Sequence, residues 1–356
     1  MFDRLALALE RAWFQQPRLL LLLLPLEWLF AALTAFRRMA FDKGWFASGH
    51  PGVPVIVVGN LTVGGTGKTP VVLGITQSLV ATGYRVAVVS RGYGGSARGV
   101  VQVTAQSDYR EVGDEALLIA KSSDALVVVG RDRLAAARRA VELGAQVIVA
   151  DDGLQHYALQ RDVEVVTSDA VLGFGNGHLL PVGPLREPPS RLATVDFFLQ
   201  RGGQDPHSGT SYVATHFRRL SDGEIRNVAD SGLGSSVHAV AAIAQPQRFF
   251  DGLRALGIEP VEHRFVDHRV FTVGDFEGLQ NLPVVMTAKD AVKCPTTLPC
   301  DAWVLEMEIR FPDNFVQQLL RRAGLVQEAP SSGPDVTDAA HERPDHEDHQ
   351  LSGGAL

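Results

Sequence analysis

Cysteine is nearly absent: the 356 residues hold two, Cys294 and Cys300. Two cysteines build no disulfide framework, and a reducing compartment fits that usage. No second Cys/His pair stands at ligand spacing, so a zinc site is not expected. Positive charge is also short. Lysine and arginine number 33 against 40 aspartates and glutamates, which argues against the basic face of a general nucleic-acid binder. The net charge of −7 gathers at one end. From Gln327 onward there are seven acids and one base, Arg343, so the rest of the chain is nearly balanced. Residues 328–356, rich in Pro, Ser, Gly, Asp and His, read as a disordered acidic tail. His341, His346 and His349 read as part of that solvated tail rather than as a metal site. No internal repeat is visible.

What is present begins with Val55 to Val58, a β-branched run that reads as a buried strand. A glycine turn follows, Gly64-Gly65-Thr66-Gly67, and then a helical pattern opening at Lys68-Thr69. Strand, glycine loop and helix start are the context a phosphate-binding loop needs. Glycines let successive N–H groups converge on phosphate oxygens, and the helix N-terminus adds partial positive charge. The common pattern has glycine where Thr62 stands; here Gly64 and Gly65 supply the bend. The expected nucleotide-binding residues are therefore Thr62, Gly64, Gly65, Thr66, Gly67, Lys68 and Thr69. Lys68 would reach the β- and γ-phosphates of ATP, and the Thr69 hydroxyl would hold Mg²⁺.

Upstream, residues 2–13 are amphipathic at helical spacing. Leu19 to Phe36 is almost wholly apolar, broken by Pro25 and Glu27 and closed by Arg37-Arg38. A glutamate at the centre of a spanning helix costs about 2–3 kcal/mol. The run is thus expected to lie in or dip into a membrane surface, with Arg18, Arg37 and Arg38 near lipid phosphates. A buried core helix is the blander alternative. After the loop, apolar strands alternate with helices up to Val163–Thr167, which predicts an α/β fold: a parallel sheet of P-loop NTPase type with helices on both faces. A proline-rich passage from Leu180 to Pro189 breaks the alternation, and a smaller second α/β unit follows. The expected domains are 1–45, a membrane-associated helical segment; 46–205, the P-loop domain; and 206–327, the second α/β domain.

Ligands of such sheets gather at the carboxyl ends of the strands. The glycine loop, Ser90-Arg91, Asp151-Asp152 and Ser168-Asp169 all fall there. Asp151-Asp152 after an apolar strand resembles a Walker B position, a carboxylate beside the loop threonine that holds Mg²⁺. Adjacent acids at a strand end are also common as turn or cap residues. Glu187 is a second candidate ligand. A hydroxyl acceptor would need a base in line with the γ-phosphate. Gly113-Asp114-Glu115 and Asp267-His268-Arg269 could each supply one. Asp114 equally suits a helix cap and His268 a paired histidine, so spacing leaves both open. Residue by residue, the chain reads as a membrane-associated two-domain P-loop ATPase or kinase.

The set of motifs resembles the tetraacyldisaccharide 4′-kinases of lipid A biosynthesis. The resembling segments are Val57 to Pro70, Ser90 to Gly95, Gly113 to Glu115, Asp151 to His156, Leu180 to Glu187, Asp267-His268 and Met286 to Cys294. They run in family order over about residues 13 to 325. Two positions depart from the family pattern: Ala116 stands where proline is usual, and Arg269 where a second histidine or a polar residue is usual. The resemblance implies that Asp114 is the general base for the disaccharide hydroxyl and that His268 pairs with it and tunes it. Closure of the second domain over the first would assemble that pair. It further implies Thr69 and Asp151 near Mg²⁺, with Asp152 and Glu187 as further candidates there, and Arg91 and Arg186 on substrate phosphate or the transferring group. Its partners would be an acylated glucosamine disaccharide lipid and a membrane surface, at the cytoplasmic face of the bacterial inner membrane, with no nucleic acid and no obligatory protein partner. A membrane-associated P-loop ATPase acting as a switch or targeting factor is the competing class, and Gly-Asp-Glu together with Asp-His argues against it. A soluble small-molecule kinase is disfavoured by the Leu19 to Phe36 run.

Overall fold

The computed structural model describes residues 12–14, 18–64, 67–267 and 269–325. Gly65, Thr66, His268, most of the 2–13 amphipathic stretch and the acidic tail lie outside the described residues.

A 3₁₀ turn over Arg18–Leu23 leads into α1 (Leu24–Asp42), so the apolar run becomes a helix that continues past Arg37-Arg38. From Leu19 to Asp42 it is long and apolar enough to cross a membrane. Only Glu27 and Ala40 of α1 are buried. Leu19, Leu22, Leu26, Trp28, Leu29, Leu33 and Phe36 are all exposed, Trp28 at 69%.

The body then alternates as β1 (Val55–Gly59), α2 (Lys68–Ala81), β2 (Val86–Ser90), β3 (Val100–Val103), α3 (Tyr109–Val112), α4 (Asp114–Ser122), β4 (Leu126–Gly130), α5 (Arg133–Glu142), β5 (Val147–Asp151), β6 (Val163–Asp169) and β7 (Phe197–Arg201). It continues with β8 (Gly209–Arg219), β9 (Ile225–Asn227), β10 (Ser236–Ala241), α6 (Pro246–Ala255), β11 (Glu259–Arg264), β12 (Val284–Thr287), α7 (Ala288–Ala291), β13 (Ala302–Arg310) and α8 (Phe315–Arg322). All strands join one sheet in the order β11-β10-β12-β13-β8-β7-β6-β1-β5-β2-β4-β3, with β9 on β8.

The first half, β7 to β4, is parallel, and β3 closes its edge antiparallel. Its central strands are buried along their whole length, which is why they read as unbroken apolar runs. One face packs Val71, Ile75 and Leu79 of α2 with Leu117 and Ile119 of α4. The other packs Ala136, Ala137 and Ala140 of α5. In the second half β11, β10, β12 and β13 are parallel, and β13 pairs antiparallel with β8. Between the halves, β7 meets β8 only at Gln200–Gly209 and Arg201–Thr210.

The last helix returns across that joint. Phe315, Leu319 and Leu320 of α8 share the core of α2 rather than that of their own half. Just before that helix, Gly74 of α2 lets the end of β13 come close, since a Cβ there would stand 2.2 Å from Ile309 Cγ2.

Candidate active site

β1 delivers the chain to Asn60 at its carboxyl end, and the ascending limb of the glycine loop is then tied to the proline-rich passage. Thr62 bridges Leu185, Val63 N donates to Pro184 O at 2.8 Å, and Arg186 N donates to Leu61 O at 2.6 Å. Gly64 and Gly67 both have positive φ, +100° and +81°. At Gly67 the conformation and the space both demand glycine, because a Cβ would stand 2.6 Å from the Tyr212 hydroxyl. Lys68 and Thr69 open α2 with no side-chain cap, so first-turn N–H groups remain for an anion. Lys68 Nζ sits 3.2 Å from Asn60 Oδ1 and 3.6 Å from Asp152 Oδ1.

β5 lies beside β1 with Val58 opposite Asp151, and this register brings the two acids to the loop. Asp151 is buried. Its Oδ2 accepts from Ser90 Oγ at 3.3 Å, while its Oδ1 is buried with no hydrogen-bond partner among the described residues. Burial pushes its carboxyl up to about 7, with Glu115 repelling and Lys68 opposing. Asp152, in the left-handed region at φ +47°, does the reverse. Against the burial that would raise it, Lys68 and Arg186 hold it down at about 2. Arg186 Nη2 reaches Asp152 Oδ1 at 3.0 Å and also contacts Asn60. Glu187 faces away from this group: it accepts from Gln155 Nε2 at 2.8 Å and Tyr157 OH at 2.9 Å and pairs with Arg191 Nε at 3.3 Å.

An orphaned carboxylate oxygen in the same cavity as a helix-start threonine suits a hard divalent cation, which takes oxygen donors. Asp151 and Thr69 therefore fit Mg²⁺.

These groups line a cavity of about 1610 Å³ whose walls come from both halves of the sheet. Gly64, Gly67, Lys68, Thr69, Arg91, Asp151, Asp152, Arg186, Glu115 and Asp267 line it; Arg91 is exposed at its wall. Thr62, Asp114 and Glu187 are buried and stand behind the lining. Asp114 opens α4, where its Oδ1 accepts from Glu115 N at 2.9 Å. Arg269 pairs with Asp275 at 2.6 Å.

Other residues at the site were given no role from sequence. Arg133 donates to the carbonyls of Asp151 and Asp152 at 3.0 and 3.2 Å, bracing the strained turn. Tyr212 OH, on β8, donates to Gly67 O at 3.1 Å, and Arg201 stacks 4.5 Å over its ring. Burial pushes the Tyr212 hydroxyl up to about 12, so it remains a donor at neutral pH. Arg248 reaches across from α6 to Asp169 at 2.6 Å. Gln155 lay inside a recognised motif; Tyr212, Arg133 and Arg248 carried no local signal.

A model of the tetraacyldisaccharide-1-P 4′-kinase family matches residues 19–324. The tetraacyldisaccharide 4′-kinase of Thiobacillus denitrificans is 45% identical over 329 residues, 89% of this chain and 99% of the relative. That of Methylobacillus flagellatus is 41% identical over 324 residues, 90% and 97% of the two chains. Among solved structures, the "apo" form of LpxK from Aquifex aeolicus in complex with ATP superposes with a TM-score of 0.73 at 28% identity, covering 85% of this chain and 99% of its own.

Proposed function

This chain belongs to the tetraacyldisaccharide-1-P 4′-kinase family, and from that premise we propose how its residues carry the reaction. The reaction is transfer of the γ-phosphate of ATP to the 4′-hydroxyl of a tetraacyldisaccharide 1-phosphate in lipid A biosynthesis. One observation supports the chemistry above the others: an uncapped helix start with Lys68 stands at the same strand ends as the orphaned Asp151 oxygen.

The loop N–H groups and Lys68 bind the phosphates. Thr69 and Asp151 would hold Mg²⁺, which when bound offsets charge on the β- and γ-phosphates. Asp152 and Glu187 are assigned to holding the loop, since both already serve other partners. Arg186 faces the transferring group and Arg91 the acceptor. Asp114 takes the proton of the 4′-hydroxyl as its oxygen bonds to the γ-phosphorus and the bond to the β-phosphate oxygen breaks. His268 pairs with Asp114 and tunes it. The halves of the sheet close as two domains over the nucleotide, a reading supported by the narrow β7–β8 joint. The exposed apolar face of α1 holds the enzyme on the cytoplasmic surface of the inner membrane, where its acceptor resides.

The test is transfer of label from γ-labelled ATP to tetraacyldisaccharide 1-phosphate in detergent micelles, for the intact protein and Asp114→Ala. Labelled lipid from the first and a rate loss of about 10²- to 10⁴-fold in the second are expected. No lipid product from a folded, ATP-binding protein would overturn the kinase reading. An unimpaired variant would overturn only the base.

A further inference from the structure

The segment Met286–Cys294 carries two lysines whose surroundings differ sharply. β12 ends at Thr287, whose Oγ1 accepts from Asp290 N at 3.2 Å. The Asp290 carboxylate accepts from Thr287 Oγ1 at 2.7 Å and Ala242 N at 3.1 Å and pairs with Lys293 Nζ at 3.0 Å. Both members of that pair are buried, at 0% and 2% exposure. An ion pair this deep fixes the turn, because neither charge tolerates losing its partner.

Lys289 leaves the fixed turn on the cavity side. Its Nζ donates to Glu115 Oε1 at 3.3 Å and lies 3.8 Å from Asp267 Oδ1. Glu115 follows Asp114 at the start of α4, in the first half of the sheet. Asp267 precedes His268, after β11 in the second. One ammonium thus joins the immediate neighbours of the two residues assigned to proton transfer.

We propose that Lys289 is a positioning residue, which sets the separation of the Asp114 and His268 segments by bridging Glu115 to Asp267 across the cavity. This rests on the kinase reading above. Burial works against the Lys289 charge, but Glu115, Asp267 and Asp114 raise its proton affinity above the ordinary value. Lys289 therefore stays protonated throughout the neutral range. A second ion pair between the halves, Arg248 to Asp169, holds the end of β6 and does not reach these segments. A misplacement of about 1 Å in a reacting group costs about 10²-fold in rate, so a tether of this kind acts on turnover more than on nucleotide binding.

The experiment is steady-state kinetics of lipid phosphorylation for Lys289→Met, Lys289→Arg, Asp267→Asn and the Lys289→Met/Asp267→Asn double variant. Melting temperature and ATP affinity are read on each. Lys289→Met is expected to lower kcat by about 10- to 100-fold with the ATP KM within about threefold. Lys289→Arg should recover most of that loss, and the double variant should lose no more than the worse single one. An unchanged kcat, a rise in ATP KM alone, or additive losses would each overturn the proposal. If Lys289→Met does not fold, Asp267→Asn carries the same kcat-against-KM test with the lysine intact. A wild-type protein that labels no lipid would sink the kinase reading itself; wild-type turnover with an unimpaired Lys289→Met sinks this one alone.

Discussion

Asp151 and Asp152 are neighbours in the chain yet titrate in opposite directions, because only Asp152 meets cations directly. Asp151 is drawn into the end of β5, where burial raises its carboxyl from the ordinary range to about 7. A native-state group that holds its proton longer than the unfolded chain does stabilises at low pH. That contribution is complete below the unfolded value near 4, falls as pH rises to about 7, and is gone above it. Asp151→Asn removes the titration. In Mg²⁺-free buffer the melting temperature of Asp151→Asn relative to wild type should climb between about pH 4 and 7 and then level off, while in a separate assay with Mg²⁺ supplied the variant loses the ATP-dependent turnover that wild type shows. A difference that stays flat with pH would show that burial does not govern this carboxylate. The orphaned oxygen was not legible in the sequence: the doubled acid was, but not which member faces solvent or a cation.

At the scale of elements, α1 shows how one residue reorients a helix. In the sequence Glu27 is an obstacle inside an apolar run. In the fold it is one of two buried residues of α1 and makes a polar attachment to the body, beside the packing of Arg37 and Phe41 on Tyr157. Its carboxylate accepts from Leu179 N at 2.8 Å and lies 3.0 Å from His178 Nδ1. The same passage, through Leu185 and Arg186, runs on to the glycine loop. Glu27→Ala leaves the Leu179 N–H and His178 without that acceptor, a loss of about 1–3 kcal/mol. Thermal melting in detergent should show a lower midpoint for Glu27→Ala and a smaller drop for Glu27→Gln, which keeps an acceptor oxygen; equal midpoints for all three proteins would refute the attachment. Elsewhere, strands buried on both faces were readable as apolar runs, whereas β3, β8, β9 and β11 were not. β11, Glu-Pro-Val-Glu-His-Arg, lies at the sheet edge, where polar residues and a proline are tolerated and the pattern disappears.

Within the compact unit that ends at Leu325, the sheet order decides what can meet. β8 and β13 are the strands of the second half nearest the nucleotide half, so Tyr212 reaches the glycine loop and α8 reaches the core of α2. Among the described residues nothing buries the apolar side chains exposed on α1, and each large one left in water forgoes about 1.5–3 kcal/mol. Flotation with anionic vesicles should carry the full chain to the lipid fraction. A chain lacking residues 1–42 should stay in the aqueous fraction and keep ATP affinity while losing most turnover on the lipid acceptor. Retention of vesicle binding after the deletion would move the membrane contact elsewhere on the body.

The sequence by itself determined the glycine loop, the strand-end acids, the strand–helix alternation and the family. Each of these depends on residues close together in the chain, where backbone geometry and periodicity leave a local mark. Only the tertiary structure decided that Glu27 turns inward, that Glu187 serves Gln155, Tyr157 and Arg191, that Tyr212 touches Gly67, and that Lys289 spans Glu115 and Asp267. Those contacts join segments far apart in the chain. They depend on strand order and register, which no short-range pattern encodes.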